Sequence, residues 1–391
     1  MLPPMSIPVS TKSFTRNVVT KTGGIYIHVP FCQKRCIYCD FYSTTHGLEW
    51  KRSYVSALKR EMLLRRSEID SSRVPSIYIG GGTPSQLPSS LLLEMFRAVM
   101  DTFSLAGDAE VTIEVNPDDV TPELIAALRQ TPVNRISMGV QTFSDDLLRF
   151  LNRRHTSAQA LHAVQLFREA GYDNISLDLI YGLPGQTLED WKSDVHQLLE
   201  LDVPHLSAYA LSYEEGTPLY NMLQDGKLSE ASEDLSWRMY EYLMVEAAAE
   251  GMEHYEISNF AKPGMHARHN SSYWNGSPYL GLGPGAHSYD GINIRRSNDT
   301  SLKYYVQATG DVPHQMEILT SNELYDELVM TRLRTASGLP LSLLTPEQKS
   351  YCLQMAESYI NTGKLLRDGD VLRLSRKGIF ISNSIISDLM Y

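Results

Sequence analysis

The sequence predicts an α/β protein: a partial (β/α)6 barrel over residues 24–215, a mixed junction region over 216–320 and a C-terminal winged-helix-like domain over 321–391. Three observations predict it. Short apolar runs alternate with helix-period stretches about six times after Gly24, which implies a parallel sheet with helices outside. The runs end in loop formers such as Gly80-Gly81-Gly82, Asn116-Pro117 and Gly182-Leu183-Pro184-Gly185. From about Ser321 the pattern changes to helices and one hairpin signal, Asp368-Gly369-Asp370.

The elements follow in order. Ile25–Val29 reads as the first strand, and Leu48–Ile69 as a helix with Val55, Leu58 and Met62 at helical spacing. Ser76–Ile79 and Val111–Val115 are strands separated by a helix over Leu91–Phe103. Thr121 caps a helix that begins with Pro122. Strands over Arg135–Val140, Ile175–Ile180 and His205–Leu211 alternate with helices over Ser144–Leu151, Ser157–Ala170 and Leu188–Leu201. Six units are fewer than the eight of a closed barrel, so the barrel is expected to be open, with its chemistry at the C-terminal strand ends. In the junction, Glu233–Ala249 reads as a helix, and Tyr255–Ile257 and Ile292–Arg295 as short strands. Helices over Glu323–Arg334 and Pro346–Asn361, a hairpin over Lys364–Leu374 and a last helix over Gly378–Leu389 complete the chain. Cys352 falls within a helix and reads as a small buried hydrophobe.

Chemistry concentrates after the first strand. The stretch Gly24–Ser43 reads GIYIHVPFCQKRCIYCDFYS and carries Cys32, Cys36 and Cys39, three of the four cysteines of the chain. Three thiols on one short loop can close around one inorganic centre. A tetrahedral zinc site would want a fourth ligand, which no nearby residue supplies, whereas iron–sulfur clusters take thiolates in tight spacings. Further polar and glycine residues fall at later strand ends: Gly80–Ser85, Glu114, Gln141 and Asp178. The glycine loop is no phosphate P-loop, because no Gly-Lys-Ser/Thr follows, and reads instead as a backbone clamp on a ligand.

Composition narrows the function classes. The 391 residues are 42% hydrophobic and 21% charged, as a packed globular chain requires. No apolar run approaches the ~20 residues of a membrane span. Cysteine usage is that of a reducing compartment, so a cytoplasmic location is expected. A net charge of −11 argues against nucleic-acid binding, even for a winged-helix-like shape. Residues 1–23 lack Asp and Glu and read as an N-terminal arm, without a secretory apolar segment.

With these motifs together, the chain resembles the radical S-adenosylmethionine superfamily. IHVPFCQKRCIYCDFYS, GGGTPS, IEVNP, RISMGVQTF, NRRH and DLIYGLPGQ are similar to its coproporphyrinogen III oxidase-like subgroup. Two branches of that subgroup differ after the third cysteine. The dehydrogenases carry a further Cys two residues on, where this chain has Phe41. The HemW-type heme chaperones carry Cys-Asp-Phe together with a His-Asn-x-x-Tyr-Trp signature, matched by His269–Trp274. HYEISNFA (254–261) and YLGLGPGAHSY (279–289) also resemble that branch.

The resemblance implies a 4Fe-4S cluster on Cys32, Cys36 and Cys39, with one iron open to chelation by S-adenosylmethionine. In that family, reductive cleavage of the cofactor gives methionine and a 5′-deoxyadenosyl radical. It further implies Tyr26 and Tyr38 beside cluster and cofactor, Gly81, Gly82 and Thr83 at the methionine end, and Glu114, Gln141, Arg153 and Asp178 on the remaining polar groups. Heme is implied as cargo, with His269 a candidate axial ligand and Tyr273 and Trp274 able to pack on a porphyrin face. The partners implied are client hemoproteins such as respiratory cytochromes and an electron donor, and a homodimer is left open. Two other functions stay open at this point: oxidative decarboxylation of coproporphyrinogen III, and binding with a purely structural cluster.

Overall fold

The computed structural model describes residues 22–391, so the arm assigned to 1–23 lies, except for its last two residues, outside the described residues. The six expected strands form: β1 (Gly24–Val29), β2 (Val74–Gly81), β3 (Leu105–Val115), β4 (Arg135–Gln141), β5 (Ile175–Tyr181) and β6 (His205–Ala210). They pair in sequence order and all in parallel. Helices 51–65, 89–102, 122–128, 157–169 and 188–200 cross between them. The caps act as the sequence implies. Thr121 Oγ1 accepts from the Leu124 N–H at 3.2 Å, and Thr156 and Thr187 close capping boxes. The strands are buried on both faces, and Ile25, Ile27, Ile77, Ile79, Ile113, Ile136 and Leu177 pack into one core with the helices.

The junction differs from expectation. It is no separate mixed region, because its strands extend both edges of the barrel sheet. On one side β7 (Glu253–Glu256) and β8 (Asn259–Ala261) form a hairpin whose β8 pairs antiparallel with β6. On the other, β9 (Tyr279–Leu282) runs parallel to β1, followed by the antiparallel strands β10 (His287–Tyr289), β11 (Ile294–Asn298) and β12 (His314–Ile318). The sheet order is β12-β11-β10-β9-β1-β2-β3-β4-β5-β6-β8-β7. These added strands are only three to five residues long; the expected Tyr255–Ile257 and Ile292–Arg295 overlap β7 and β11, whereas β8, β9, β10 and β12 form through long-range pairing.

The last part of the chain packs helices 321–333, 346–361 and 382–389 against a three-stranded antiparallel sheet of β13 (Leu339–Pro340), β14 (Leu365–Asp368) and β15 (Val371–Leu374). The hairpin turns at the expected Gly369, which takes φ 58°. The expected helix over 378–389 is broken into Arg376–Ile379 and Ser382–Leu389. Val329, Leu333, Cys352, Leu365, Leu372 and Ile385 make a core of their own. Backbone bonds from Ile257 N–H to Arg334 O and from Ala336 N–H to Tyr255 O, both 3.0 Å, tie this unit to the barrel edge. No helix among the described residues is long and apolar enough to cross a membrane.

Candidate functional site

The inward residues of the parallel strands enclose a cavity of about 450 Å³. Alternation brings Arg135, Ser137, Gly139 and Gln141 of β4 to its wall, with Ser176, Asp178 and Ile180 of β5 and Ser207 and Tyr209 of β6. The loop after β1 closes the C-terminal end, and Cys32, Cys36 and Cys39 all line the cavity. Of the expected cofactor residues, Tyr38, Gly81, Gly82, Thr83, Glu114, Gln141, Arg153 and Asp178 also line it. Tyr26 does not. Its ring stacks on Tyr78, a wall residue, at 6.2 Å, and its hydroxyl bonds His28 Nδ1 at 3.0 Å.

The cysteine loop is held by its backbone. Thr44 N–H donates to Pro30 O at 2.8 Å and Cys32 N–H to Thr44 O at 3.0 Å. Ile37 N–H reaches Leu151 O at 3.2 Å, and Asn152 Nδ2 donates to Arg35 O at 2.8 Å. Beneath the thiols, Thr83 Oγ1 lies 3.4 Å from Cys32 Sγ, and Arg153 Nη1 lies 3.5 Å from Cys36 Sγ. Burial pushes the Cys32 thiol up and the Cys39 thiol up to about 11, so each keeps its proton at neutral pH until a metal displaces it.

The glycine loop fits under this leg. Gly81 takes φ 111° and donates its N–H to Glu114 Oε2 at 3.1 Å. A Cβ on Gly82 would meet the Pro30 carbonyl carbon at 2.8 Å and Phe31 O at 2.9 Å, both backbone atoms. Gly82→Ala is therefore expected to push the Pro30–Phe31 leg outward and cut iron retained after anaerobic reconstitution to less than half that of wild type. Gly107→Ala, where no atom lies within 4 Å, should leave it unchanged.

Glu114 accepts from Tyr78 OH at 2.7 Å, and burial raises its carboxyl to about 7. Burial likewise raises Asp178 to about 6. Two carboxyls in one cavity thus titrate close to neutrality, as a site that exchanges protons or binds a cation requires. Gln141 reaches the wall through a bulge between Gly139 and Gln141, where it takes φ 70°. Arg153 makes no ion pair among the described residues. It donates to Gly139 O at 2.5 Å and to Asn116 Oδ1, and its buried Nε has no partner.

The His-Asn-x-x-Tyr-Trp stretch forms most of a short helix, Arg268–Trp274, beneath the N-terminal ends of β2 and β3. His269 is 1% exposed and is absent from the cavity wall. Ser76 Oγ binds its Nδ1 and Tyr273 OH its Nε2, both at 2.9 Å, while its ring stacks on Tyr78 at 5.4 Å. Burial pushes its pKa down to about 3, so it is neutral. Both ring nitrogens of His269, the candidate axial ligand, are thus hydrogen-bonded inside a packed core. Tyr273 and Trp274 also stay off the wall, and Asn270 is the member of the motif that reaches the cavity. Sequence reasoning missed Arg135 and Asn116 as wall residues. The signal for Arg135 was a charge opening a strand otherwise buried on both faces.

The Radical SAM superfamily model matches residues 26–198, and the HemN C-terminal domain model matches residues 319–381. Heme chaperone HemW of Lactococcus lactis is 36% identical over 379 residues, covering 95% of this chain and 98% of that protein. Heme chaperone HemW of Mycobacterium tuberculosis strain H37Rv is 36% identical over 375 residues, covering 94% of each. The chain belongs to the HemW family of radical S-adenosylmethionine proteins. Coproporphyrinogen III oxidase (HemN) from Escherichia coli, described as a radical SAM enzyme, shares the fold with a TM-score of 0.82. It is 23% identical and covers 95% of this chain and 90% of that one, a likeness of fold alone.

The site suits the cofactors of the radical SAM superfamily to which HemW proteins belong, a 4Fe-4S cluster and S-adenosylmethionine. The donors at the mouth are three thiols, the ligand type such clusters take. Below them, unpaired Arg153 Nε and the glycine backbone offer donors, and Glu114 and Asp178 offer acceptors. The cavity volume falls within the roughly 300–1,000 Å³ of small-molecule sites.

Proposed function

We propose that this protein is a heme carrier that receives heme and passes it to client hemoproteins such as respiratory cytochromes, with a cluster and S-adenosylmethionine held in the barrel. The observation that carries the reading is the near full-length identity to proteins named heme chaperones, set against a likeness to the oxidase that is one of fold. Phe41 supports it. Where the dehydrogenase branch has a further thiol, this chain presents an aromatic ring that lines the cavity rim and is 67% exposed.

In this reading Cys32, Cys36 and Cys39 hold the cluster. The bound cofactors supply one-electron chemistry at the cavity mouth. Thr83 and Arg153 brace the ligand sulfurs from below. Gly81 and Gly82 let a methionine end approach the backbone, and Glu114, Gln141 and Asp178 orient polar groups of the nucleoside. His269 acts as a positioning residue that holds Tyr78 against Glu114. An external electron donor, a cytoplasmic location and a homodimeric state belong to the same proposal.

The test is anaerobic reconstitution, then heme titration followed by absorbance, beside an assay with coproporphyrinogen III. The expected result is saturable heme binding with transfer to an apo-cytochrome and no protoporphyrinogen. Steady protoporphyrinogen formation would replace this reading with the dehydrogenase one.

A further inference from the structure

Among the described residues, one buried charged side chain has no hydrogen-bond or ion-pair partner. Arg135 opens β4, is 1% exposed and lines the cavity. Its guanidinium makes no hydrogen bond or ion pair among the described residues, and its Nε is buried and unsatisfied. Its register partner on β3, Thr112, is fully buried, with Oγ1 equally unpaired. An uncompensated buried charge is strongly destabilising, and a native fold keeps one only where something else answers it. The carboxyl of Asp178 feels the positive charge of Arg135 but lies beyond ion-pair contact. The other groups around the guanidinium are Tyr78, His205, Tyr255 and His269, none of them an anion at neutral pH.

The position matters as much as the charge. Arg135 lies six residues before Gln141, which at about 3.3 Å per residue puts it about 20 Å below the mouth. Helix 268–274 floors the lumen there, and Asn270 faces in. Ser137 and its register partner Ser176 line the next layer. The floor is thus cationic, whereas Glu114 shares the layer of Ser137 and Asp178 lies one layer higher. A ligand that reaches both needs an anionic end beyond a polar or cationic middle.

We propose that Arg135, with Ser137 and Asn270, forms a carboxylate-binding well at the floor of the barrel lumen. The planar guanidinium offers paired donors that match a carboxylate. One ligand of the proposed function carries that group and is not already assigned to the mouth: heme, in its propionates. The proposal therefore rests on the heme-carrier reading.

The experiment compares cluster-loaded wild type with Arg135→Met and Arg135→Lys, each titrated with heme and heme dimethyl ester. The preference of wild type for the acid should fall about tenfold or more in Arg135→Met, with the ester bound as before. Arg135→Lys should retain part of that preference. The cofactor-free Arg135→Met protein should melt no lower than wild type, because a buried unpaired charge has been removed. An acid preference unchanged in Arg135→Met, or a lower melting midpoint with acid and ester weakened alike, would make Arg135 a structural cation and overturn the proposal. Binding of neither heme nor its ester by wild type would instead overturn the heme-carrier reading, and the proposal with it.

Discussion

Serine at Cys32, Cys36 or Cys39 is expected to leave the barrel folded and the cluster gone. Iron after anaerobic reconstitution should fall from about four atoms per chain to below one, with loss of the visible cluster absorbance. The fold should survive because the loop is anchored by other groups. Phe31 is fully buried against Tyr54 at 5.4 Å, and the legs of the loop are held by backbone bonds to Thr44, Leu151 and Leu219. Circular dichroism and the thermal midpoint of the cluster-free protein should therefore match those of wild type. Cys352→Ser makes the opposite case. That thiol sits in the C-terminal core, so full iron content should persist, while burying a hydroxyl there costs on the order of 1–3 kcal/mol. A cysteine of the loop whose serine variant keeps full iron is not a ligand.

The loop was legible because ligands of one centre must lie close in space, and a short loop makes them close in sequence too. The barrel was legible because each β/α unit shows its period within its own residues. That Glu114 faces the cavity followed from the rule that parallel strands present chemistry at their C-terminal ends. What the sequence hid was of another kind. Of strands β7 to β12, which join the sheet beside β6 and β1 far away along the chain, only β7 and β11 showed in part, and His287–Tyr289 carries no strand signal of its own. His269 looked like a ligand because a histidine beside aromatic residues offers two nitrogens. Only the packing shows that Ser76 and Tyr273, one distant and one local, take both. Arg135 was passed over as a strand start, since nothing local says whether a charge will find a partner.

Glu61→Ala is expected to destabilise the barrel edge by roughly 3 kcal/mol or more, the cost of leaving several buried donors without their common acceptor, while Arg65 keeps its second ion pair to Glu68. Glu61 and Arg65 are 1% and 2% exposed on helix 51–65 and form a 2.8 Å ion pair. The Glu61 carboxylate also accepts from Gly283 N–H at 2.8 Å, Tyr305 OH at 2.8 Å and Asn298 Nδ2 at 2.7 Å. Arg65 donates onward to Gly281 O at 2.7 Å and Ser288 Oγ at 2.8 Å. The pair thus fastens an early barrel helix to strands β9 to β11, more than 200 residues on. β9 is the parallel neighbour of β1, and β1 runs directly into the cysteine loop. Loosening β9 should therefore reach the cluster site, with faster amide exchange along β9 and β1 and weaker cluster retention. The chain has two cores, so exchange measured strand by strand reads this better than one melting midpoint. A Glu61→Met, Arg65→Met double variant should recover much of the loss, because it removes both charges and leaves apolar volume in their place. A double variant as unstable as the sum of the two single ones would mean that the pair does not act as a unit, and that the edge strands are held by their backbone ladder alone.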